Sequence, residues 1–353
     1  MTGCVDHTNV EDVSMTLVLG IDLDKDDNLM VYMLSPVFAE EAKEKDEINF
    51  VKSVTVRSSR DLFDSTVMGL TTGSKTQVIF VGKRLLEQKH WADYLDPFLR
   101  DPKNTVTSRI VGVEGPVSDV FLYKPKDKAR LPVYYTKLID SAYRRNITVK
   151  TNLQEFYKQI LEKGMTPTIS AIKKTDKVYV NGSVLLDEED KYVLTITPYE
   201  NKLLRILQHE NNGDYPFTIE LPSISNKVDK PFISFYTQNT KVKTKVGKED
   251  DNFKFDINVK MRIAFTERLF SYNVRKAPEK LQKSIETKLQ EDFENLIKKI
   301  QSSKIDPIGL GLYARANMYQ DYKEVQNQWG KTLSKANINV KVHVKIGGMG
   351  TIK

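Results

Sequence analysis

Two segments near the C-terminal end of the chain alternate between apolar and polar residues over many positions. The first runs from 253 to 265 and the second from 338 to 346. Successive side chains of a β-strand point to opposite faces of a sheet, so this alternation predicts strands with one buried and one wet face. The apolar positions are Phe253, Phe255, Ile257, Val259, Met261, Ile263 and Phe265, then Ile338, Val340, Val342, Val344 and Ile346.

Between these two segments the apolar residues recur every three or four positions, which places them on one face of an α-helix. The helix is predicted over about 277–303. Its apolar stripe consists of Leu281, Ile285, Leu289, Phe293, Leu296 and Ile300. Long antiparallel strands covered by a long helix predict an α+β domain at the C-terminal end.

The first 165 residues contain shorter runs, in which β-rich apolar segments are interleaved with helical patterns. Strands are predicted over 14–21, 29–38, 48–57, 77–82 and 108–115. Helices are predicted over 59–70, 83–100, 133–145 and 153–163, with the second interrupted at Pro97. This mixture predicts an N-terminal α+β domain.

A small middle segment follows, with short predicted strands over 169–173, 177–180 and 183–186. Thr197, Pro198 and Glu200 then supply an N-cap, a first-turn proline and the partner of a capping box, so a helix is predicted to start there. The predicted fold class is α+β with three domains, each a mainly antiparallel or mixed sheet with packed helices. Their predicted ranges are 5–165, 166–226 and 227–353.

The composition is that of a globular chain, with 40% hydrophobic and 29% charged residues among 353. No run of eighteen apolar residues occurs, so no segment is predicted to cross a bilayer. The net charge of +7 is unevenly spread, because residues 223–353 carry 25 Lys or Arg against 14 Asp or Glu.

This basic C-terminal part could face an anionic lipid surface, an acidic polymer or nucleic acid, or could simply keep the protein in solution. The solubilising surface is the commoner reason for alternating lysines. Lys241, Lys243 and Lys245 form the basic strand face. Aromatic residues do not interleave with them, as binding to single-stranded nucleic acid would require, so nucleic acid is not an expected partner.

Candidate chemistry is sparse. The four histidines are too far apart in sequence for a local zinc pair, and motifs for nucleotide binding or hydrolysis are absent. Asp22, Asp24 and Asp26 resemble half of a calcium loop, but Asp27 and Met33 replace the glycine and glutamate that such a loop needs. We therefore predict a hairpin turn here, with no catalytic residue, metal site or cofactor.

The single cysteine, Cys4, excludes an internal disulfide. It follows Thr2 and Gly3 and precedes a polar stretch, as at the end of a bacterial lipoprotein signal, where the cysteine becomes the first residue and carries the lipid. The apolar part of such a signal is expected to precede this sequence in the full-length protein.

Features along the whole chain resemble the Ger(x)C family of spore germination lipoproteins. Members of that family open with a lipidated Cys followed by Asp, and a strand that ends in Gly-Ile-Asp-x-Asp comes next. A second strand ends in Gly-Lys, and a Phe-x-Arg-Asp motif follows it. The corresponding residues here are Gly3-Cys4-Val5-Asp6, Gly20-Ile21-Asp22-Leu23-Asp24, Val78 to Lys83 and Phe98-Leu99-Arg100-Asp101. The family's C-terminal signature corresponds to Asp306-Pro307-Ile308-Gly309-Leu310-Gly311, Tyr313, Arg315, Trp329 and 340–346.

The resemblance implies a non-catalytic subunit of a nutrient germinant receptor, with three α+β domains and no cofactor. It implies attachment through Cys4 to the outer face of the spore inner membrane, and assembly with two integral membrane subunits of A and B type. One alternative is an independent extracytoplasmic lipoprotein that binds a solute or the cell wall. Another is a secreted hydrolase, which would need two of its dispersed carboxylates, such as Asp22, Asp24 and Asp306, in one cleft.

The resemblance also selects candidate partner contacts around the turn and helix after residue 305. These candidates are Asp306, Pro307, Gly309, Gly311, Tyr313 and Arg315. Partner contacts are also predicted on the exposed strand faces of the last domain. Asp306 and Pro307 are predicted to start a helix, as N-cap and first residue. Trp329 is expected to pack in the core, whereas for Arg315 an ion pair within its own domain and a partner contact stay equally open.

Overall fold

The computed structural model of the chain describes residues 9, 12–38, 41–210, 213–222, 224, 230–274 and 276–348. These residues form two compact units. The first comprises 1–142, 148–161 and 167–195, and the second comprises 143–147, 162–166 and 196–353. The short segments 143–147 and 162–166 thus belong to the second unit, although the first unit surrounds them in sequence.

The elements from the N-terminus to residue 196 alternate between strands and short helices. The strands are β1 (Val13–Met15), β2 (Val18–Leu23), β3 (Leu29–Pro36), β4 (Asp46–Ser53), β5 (Leu70–Thr72), β6 (Val78–Gly82), β7 (Arg109–Val113), β8 (Thr168–Lys174), β9 (Val178–Leu186) and β10 (Tyr192–Ile196). The helices are α1 (Ser59–Asp64), α2 (Lys83–Leu86), α3 (Asp96–Arg100), α4 (Val117–Phe121), α5 (Leu131–Arg144) and α6 (Leu153–Leu161).

The first unit is built on an eight-stranded mixed sheet in the order β10-β9-β8-β7-β6-β2-β3-β4. Strands β2, β6, β7 and β8 run parallel to one another, while β3, β4 and β9 pair antiparallel to their neighbours. Every residue of β2 and β6 is buried, as expected for strands covered on both faces. The short buried strand predicted over 77–82 is confirmed.

The segment 24–28 is a hairpin turn between the antiparallel strands β2 and β3. The carboxylate of Asp24 accepts hydrogen bonds from the backbone amides of Asp26, at 2.8 Å, and Asn28, at 2.9 Å. These backbone bonds lower the pKa of Asp24. Because this oxygen caps the turn itself, the prediction of a hairpin turn here is confirmed.

Asp22, at the end of β2, ties this strand to the start of α4. Its buried carboxylate accepts the amide of Val117 at 2.9 Å and the amide of Leu23 at 2.8 Å. Burial is the largest effect on its pKa and raises it, while these amides oppose the rise. Gly82 lies directly opposite, since a Cβ there would be 2.0 Å from Cγ of Asp22.

The helical segment predicted over 83–100 breaks well before the predicted interruption at Pro97. Helix α2 ends at Leu86, a 3₁₀ turn covers Trp91–Leu95, and α3 follows. The break comes from contacts distant in sequence: His90 donates its amide to the carbonyl of Glu189, and the buried Trp91 indole donates to the carbonyl of Asp190. The helix predicted over 59–70 is likewise shorter, because Leu70 pairs with Val13 between β5 and β1.

The second unit contains a four-stranded sheet covered by a long helix. Its elements are α7 (Pro198–Leu207), β11 (Pro216–Glu220), β12 (Phe232–Glu249), β13 (Asn252–Arg268), α8 (Pro278–Ser302), α9 (Leu310–Asn317), α10 (Tyr319–Val325), α11 (Trp329–Leu333) and β14 (Asn337–Gly348). The strand order is β11-β12-β13-β14, antiparallel except for the parallel pair β13 and β14.

The long periodic elements lie where the sequence predicts them. The whole predicted stripe of α8 is buried, and the alternation of β13 holds up to Ile263. Beyond that point Ala264 is buried and Phe265 only half-buried, and the register with β14 shifts between Ile263 and Ala264. The capping box between Thr197 and Glu200 is confirmed.

The α+β class with mixed sheets is confirmed, whereas the count of three domains is not. Strands β8 and β9 of the predicted middle domain continue the sheet of the first unit, and α7 belongs to the second. The two short strands predicted over 177–180 and 183–186 form the single strand β9. Among the described residues, no helix combines the length and apolar character needed to cross a bilayer.

We predict that Gly82→Ala lowers the free energy of unfolding by about 2–4 kcal/mol, because the new methyl group displaces the carboxylate of Asp22 and leaves the amide of Val117 without its acceptor. Urea denaturation followed by circular dichroism measures the change. The matched control is Gly247→Ala, where a Cβ meets nothing within 4 Å. Equal effects of the two substitutions would contradict the argument.

Candidate functional site

The signature segment between α8 and α9 is buried, and it does not start a helix as predicted. All side chains from Ile305 to Leu310 are buried. Helix α9 begins only at Leu310, after Gly309 in the left-handed conformation with φ of 83°. Asp306 therefore does not cap a helix that starts at Pro307. Its carboxylate instead reaches forward to the first amides of α9.

Three N–H groups converge on the carboxylate of Asp306. The amides of Gly309 and Gly311 each donate at 2.8 Å, and the indole Nε1 of Trp329 donates at 2.7 Å. The backbone of Asp306 also exchanges two hydrogen bonds with Thr166, at 2.9 and 3.1 Å. One residue thus fixes the start of α9, the start of α11 and the segment 162–166.

Burial is the largest effect on the pKa of Asp306 and raises it. The indole of Trp329 and the amides at the start of α9 oppose that rise, because they stabilise the charged form. All three contacts use carboxylate oxygens as acceptors, so the side chain has no oxygen turned outward for acid–base chemistry. Its geometry is that of a structural acceptor.

Gly311 leaves room for the close contact between α9 and the segment 162–166. A Cβ at this position would lie 2.6 Å from the Cα and carbonyl oxygen of Gly164 and 2.7 Å from the indole nitrogen of Trp329. Two of these atoms belong to backbone, which cannot rotate away. Helix α9 can therefore approach the segment 162–166 only with glycine here.

Trp329 is fully buried, so the expectation that it packs in the core is confirmed. Its ring packs edge-on against Phe253 with centroids 5.3 Å apart and lies 5.4 Å from Tyr322. The apolar part of the indole thus lies in the core, and its single N–H group donates a hydrogen bond to Asp306. The polar group of this buried tryptophan therefore has a partner.

Arg315 makes a two-pronged ion pair within its own unit. Its guanidinium nitrogens donate to the two carboxylate oxygens of Glu162 at 2.7 and 2.9 Å. This carboxylate raises the pKa of Arg315. The arginine side chain is 44% exposed and its partner 22%, so a further molecule can still reach the arginine.

Tyr313 lies two residues before Arg315 on α9 and is half-buried. Its hydroxyl lies 2.8 Å from Nε2 of His209. Burial raises the pKa of Tyr313 and lowers the pKa of His209, so both are neutral near pH 7. A neutral imidazole nitrogen without a proton can accept the hydrogen bond from this hydroxyl.

Of the six candidate partner contacts, only Tyr313 and Arg315 have side chains that solvent reaches. The other four, Asp306, Pro307, Gly309 and Gly311, are buried inside the second unit. Direct contact between these four side chains and a partner is therefore not what the structure favours, and their role is to shape α9. That this region contacts a partner stays a prediction.

Sequence reasoning missed Glu162, Gly164, Thr166 and His209, which complete the site. Glu162, Gly164 and Thr166 lie at or just after the end of a predicted helix, and His209 lies in the predicted middle domain, so all four are far from the signature in sequence. The signal that could have pointed to one of them is Gly164, since a glycine just after a helical pattern is typical of a helix end.

The three carboxylates that a hydrolase could use accept hydrogen bonds from backbone amides. Asp22 and Asp24 both accept backbone amides in the first unit, and Asp306 does so in the second. Among the described residues, three or more His, Cys, Asp or Glu side chains do not gather in a way that could hold a metal ion. Cys4, the candidate lipid site, lies outside the described residues.

Two family descriptions match nearly the whole chain. The description "Spore germination protein N-terminal domain" matches residues 6–174, and "Spore germination B3/ GerAC like, C-terminal" matches residues 181–350. The chain belongs to the Ger(x)C family of spore germination proteins.

Its relatives within the Ger(x)C family are distant but align from end to end. Spore germination proteins B3 and A3 of Bacillus subtilis (strain 168) are each 24% identical, over 100% and 99% of this chain and 95% of each relative. Spore germination protein GerQC of Bacillus cereus is 20% identical over 99% of this chain and 96% of its own length.

The crystal structure of the GerBC protein has the same fold, with a TM-score of 0.58 over 93% of this chain and 96% of that one, at 20% identity. The two Ger(x)C descriptions meet between residues 174 and 181, at the turn from β8 to β9. In the structure these strands pair with each other, so that boundary falls inside the sheet of the first unit.

We expect Asp306→Asn to lower the free energy of unfolding by about 2–4 kcal/mol, because an amide NH₂ replaces one acceptor oxygen and faces an N–H donor. Urea denaturation followed by tryptophan fluorescence measures the loss. Asp321→Asn is the control, since the Asp321 carboxylate makes a partly exposed pair with Lys248 whose loss should cost at most about 1 kcal/mol. A loss at Asp306 no larger than in this control would refute the structural role.

The lowered pKa of His209 predicts a pH dependence of stability. The unfolded chain takes up the proton near pH 6.5 while the folded chain resists it, so stability is present above that pH and is lost as pH falls. Replacement His209→Asn, which suits the positive φ of 60°, should flatten this dependence between pH 5 and 7. Replacement of the exposed His343 by Asn should leave the dependence unchanged in the same denaturation series.

Proposed function

We propose that this chain is the non-catalytic lipoprotein subunit of a spore germinant receptor. The observation that carries the proposal is the end-to-end likeness to spore germination proteins B3 and A3 of Bacillus subtilis, joined to the shared fold of the GerBC protein. In this proposal the subunit is needed for nutrient-triggered germination.

Attachment through Cys4 to the outer face of the spore inner membrane is part of the proposal. The placement of Cys4 after Thr2 and Gly3 supports it. The described residues begin a few positions later, and β1 starts at Val13. A lipid on Cys4 would therefore hold the first unit close to the bilayer, because eight extended residues span less than about 30 Å.

The non-catalytic part rests on how the acidic candidates are used. Asp22 and Asp306 are buried and accept backbone amides, which is a structural role. The proposed partners are two integral membrane subunits of A and B type. Tyr313 and Arg315 on α9 are the proposed contacts, since they are the solvent-reachable residues of the signature segment.

One observation favours a second candidate function, an independent solute-binding lipoprotein. The first unit contains a cavity of about 360 Å³ whose wall includes Leu19, Met33 and Phe98. Arg60 also lines it, whereas the neighbouring Arg100 is paired with Asp96 at 2.6 Å. An apolar body with a carboxylate would suit this cavity. Binding of such a solute by a protein that captures no membrane subunits would favour the second function.

Membrane capture from sporulating cells tests the first function. The wild-type protein should fractionate with membranes and bring down two polytopic membrane proteins, while Cys4→Ala should become soluble. If both forms are soluble and alone, the receptor-subunit proposal fails.

Arg315→Ala tests the proposed contact in the same capture. It should lower recovery of the membrane partners severalfold with little loss of stability, because a half-exposed ion pair contributes at most about 1 kcal/mol. Arg268→Ala, at the exposed end of β13, is the matched control. Undiminished recovery with Arg315→Ala would remove this residue from the interface.

A further inference from the structure

The face of the second sheet that points away from α8 carries a dense group of positive charges. The register aligns the residues of β12, β13 and β14 in rows across the sheet, and we call this surface the basic face. Its four rows are Gln238, Arg262 and Lys345; Lys241, Lys260 and His343; Lys243, Asn258 and Lys341; Lys245, Asp256 and Asn339.

Seven of these twelve positions are Lys or Arg, while one is acidic. All seven cations are exposed. The single acid is Asp256, whose carboxylate accepts a hydrogen bond from the side-chain amide of Asn339 at 3.2 Å. Within the described residues, ion pairs do form nearby, from Lys248 to Asp321 and from Lys254 to Glu249, but they lie at the end of the sheet beyond the four rows.

The rows place like charges directly opposite each other. Lys241 is paired with Lys260, and Arg262 with Lys345. Like charges opposite one another across strands destabilise a sheet, whereas alternating Lys and Glu would keep the surface equally soluble. A solubilising role therefore does not account for this arrangement, and an anionic partner that neutralises the rows does.

The shape and composition of the basic face favour a lipid surface. It is an open sheet face about three strands wide, with neighbouring strands about 4.8 Å apart. None of its twelve positions is aromatic, so it lacks the stacking groups that single-stranded nucleic acid needs. Flexible lysine side chains spread over an exposed face three strands wide suit the many mobile phosphate groups of a lipid surface.

We propose that the basic face binds the anionic head groups of a phospholipid bilayer. This inference deepens the proposed function, on which it rests for the presence of a membrane. Lysines close to an anionic membrane surface add electrostatic attraction to whatever a lipid anchor contributes. The basic face and the lipid site are far apart in sequence, so each can be removed without the other.

The test uses the full chain carrying Cys4→Ala, so that no lipid contributes. Co-sedimentation with vesicles of 70% phosphatidylcholine and 30% phosphatidylglycerol should show binding, and vesicles of phosphatidylcholine alone should not. Binding should fall steeply as salt is raised from 50 to 300 mM, since screening weakens exposed charges. Absence of binding to the anionic vesicles at 50 mM salt would overturn the inference and leave the Cys4 anchor untouched.

The variant Lys241→Gln/Lys260→Gln/Lys341→Gln localises the binding. Each lysine near an anionic surface is expected to contribute about fivefold, so the triple variant should bind on the order of 100-fold more weakly. It should melt at or above the wild-type temperature, because a like-charge pair is relieved. Loss of binding then cannot be assigned to unfolding.

The matched control removes three lysines from the solvent side of α8, Lys280→Gln/Lys283→Gln/Lys298→Gln. It changes the net charge equally and should keep most of the binding. Equal losses in both variants would show that binding follows the net charge of the protein and not the basic face, and would overturn the inference. Tighter binding to a soluble polyanion such as duplex DNA than to the vesicles would assign the face to an acidic polymer and overturn the lipid proposal.

Discussion

The second unit depends on one buried carboxylate, that of Asp306. A buried carboxylate needs hydrogen-bond donors, because the free-energy cost of removing it from water otherwise exceeds the stabilisation gained from packing. Here the donors come from Gly309, Gly311 and Trp329, and the backbone of the same residue is bonded to Thr166. Segments that are irregular by themselves are thereby held in one geometry.

The first unit uses the same physical device at Asp22. Its carboxylate also accepts the amide at the start of a helix, that of Val117, and it too faces a position where only glycine leaves room, Gly82. Both aspartates lie in the motifs that resemble the Ger(x)C family. Much of the recognisable part of the sequence therefore fixes the fold, while Arg315, Lys341 and Lys345 of the same C-terminal signature are exposed.

The surfaces available to other molecules follow from the fold rather than from single motifs. Asp306 fixes the start of α9, and on this helix the side chain of Arg315 is 44% exposed although it pairs with Glu162. The basic face exists because three strands align their lysines in register, while most apolar residues on the other side of β13 and β14 are buried. The core thus takes the apolar positions of these strands and leaves the alternate positions to polar and charged residues.

Strong local patterns were enough for part of the architecture. Helix α8 and strands β13 and β14 were predictable because their apolar periodicity extends over many residues and fits only one kind of element. The interruption of the helical segment 83–100 was predicted at Pro97 and comes earlier, since contacts with residues near 190 break it after Leu86. The parallel pairing of β13 with β14 was also missed, because alternation fixes the face of a strand and not its direction.

For the candidate site, resemblance and local pattern were enough to select residues, but they gave no information on burial or on contacts. The sequence by itself identified Asp306, Gly311 and Arg315 through resemblance, and it identified the alternating lysines of β12. Only the tertiary structure decided that the first two are buried, that Arg315 meets Glu162, and that the lysines are joined by those of neighbouring strands. The physical reason is that burial, pairing and charge density depend on residues far apart in sequence, whereas a local pattern reports only on its own neighbours.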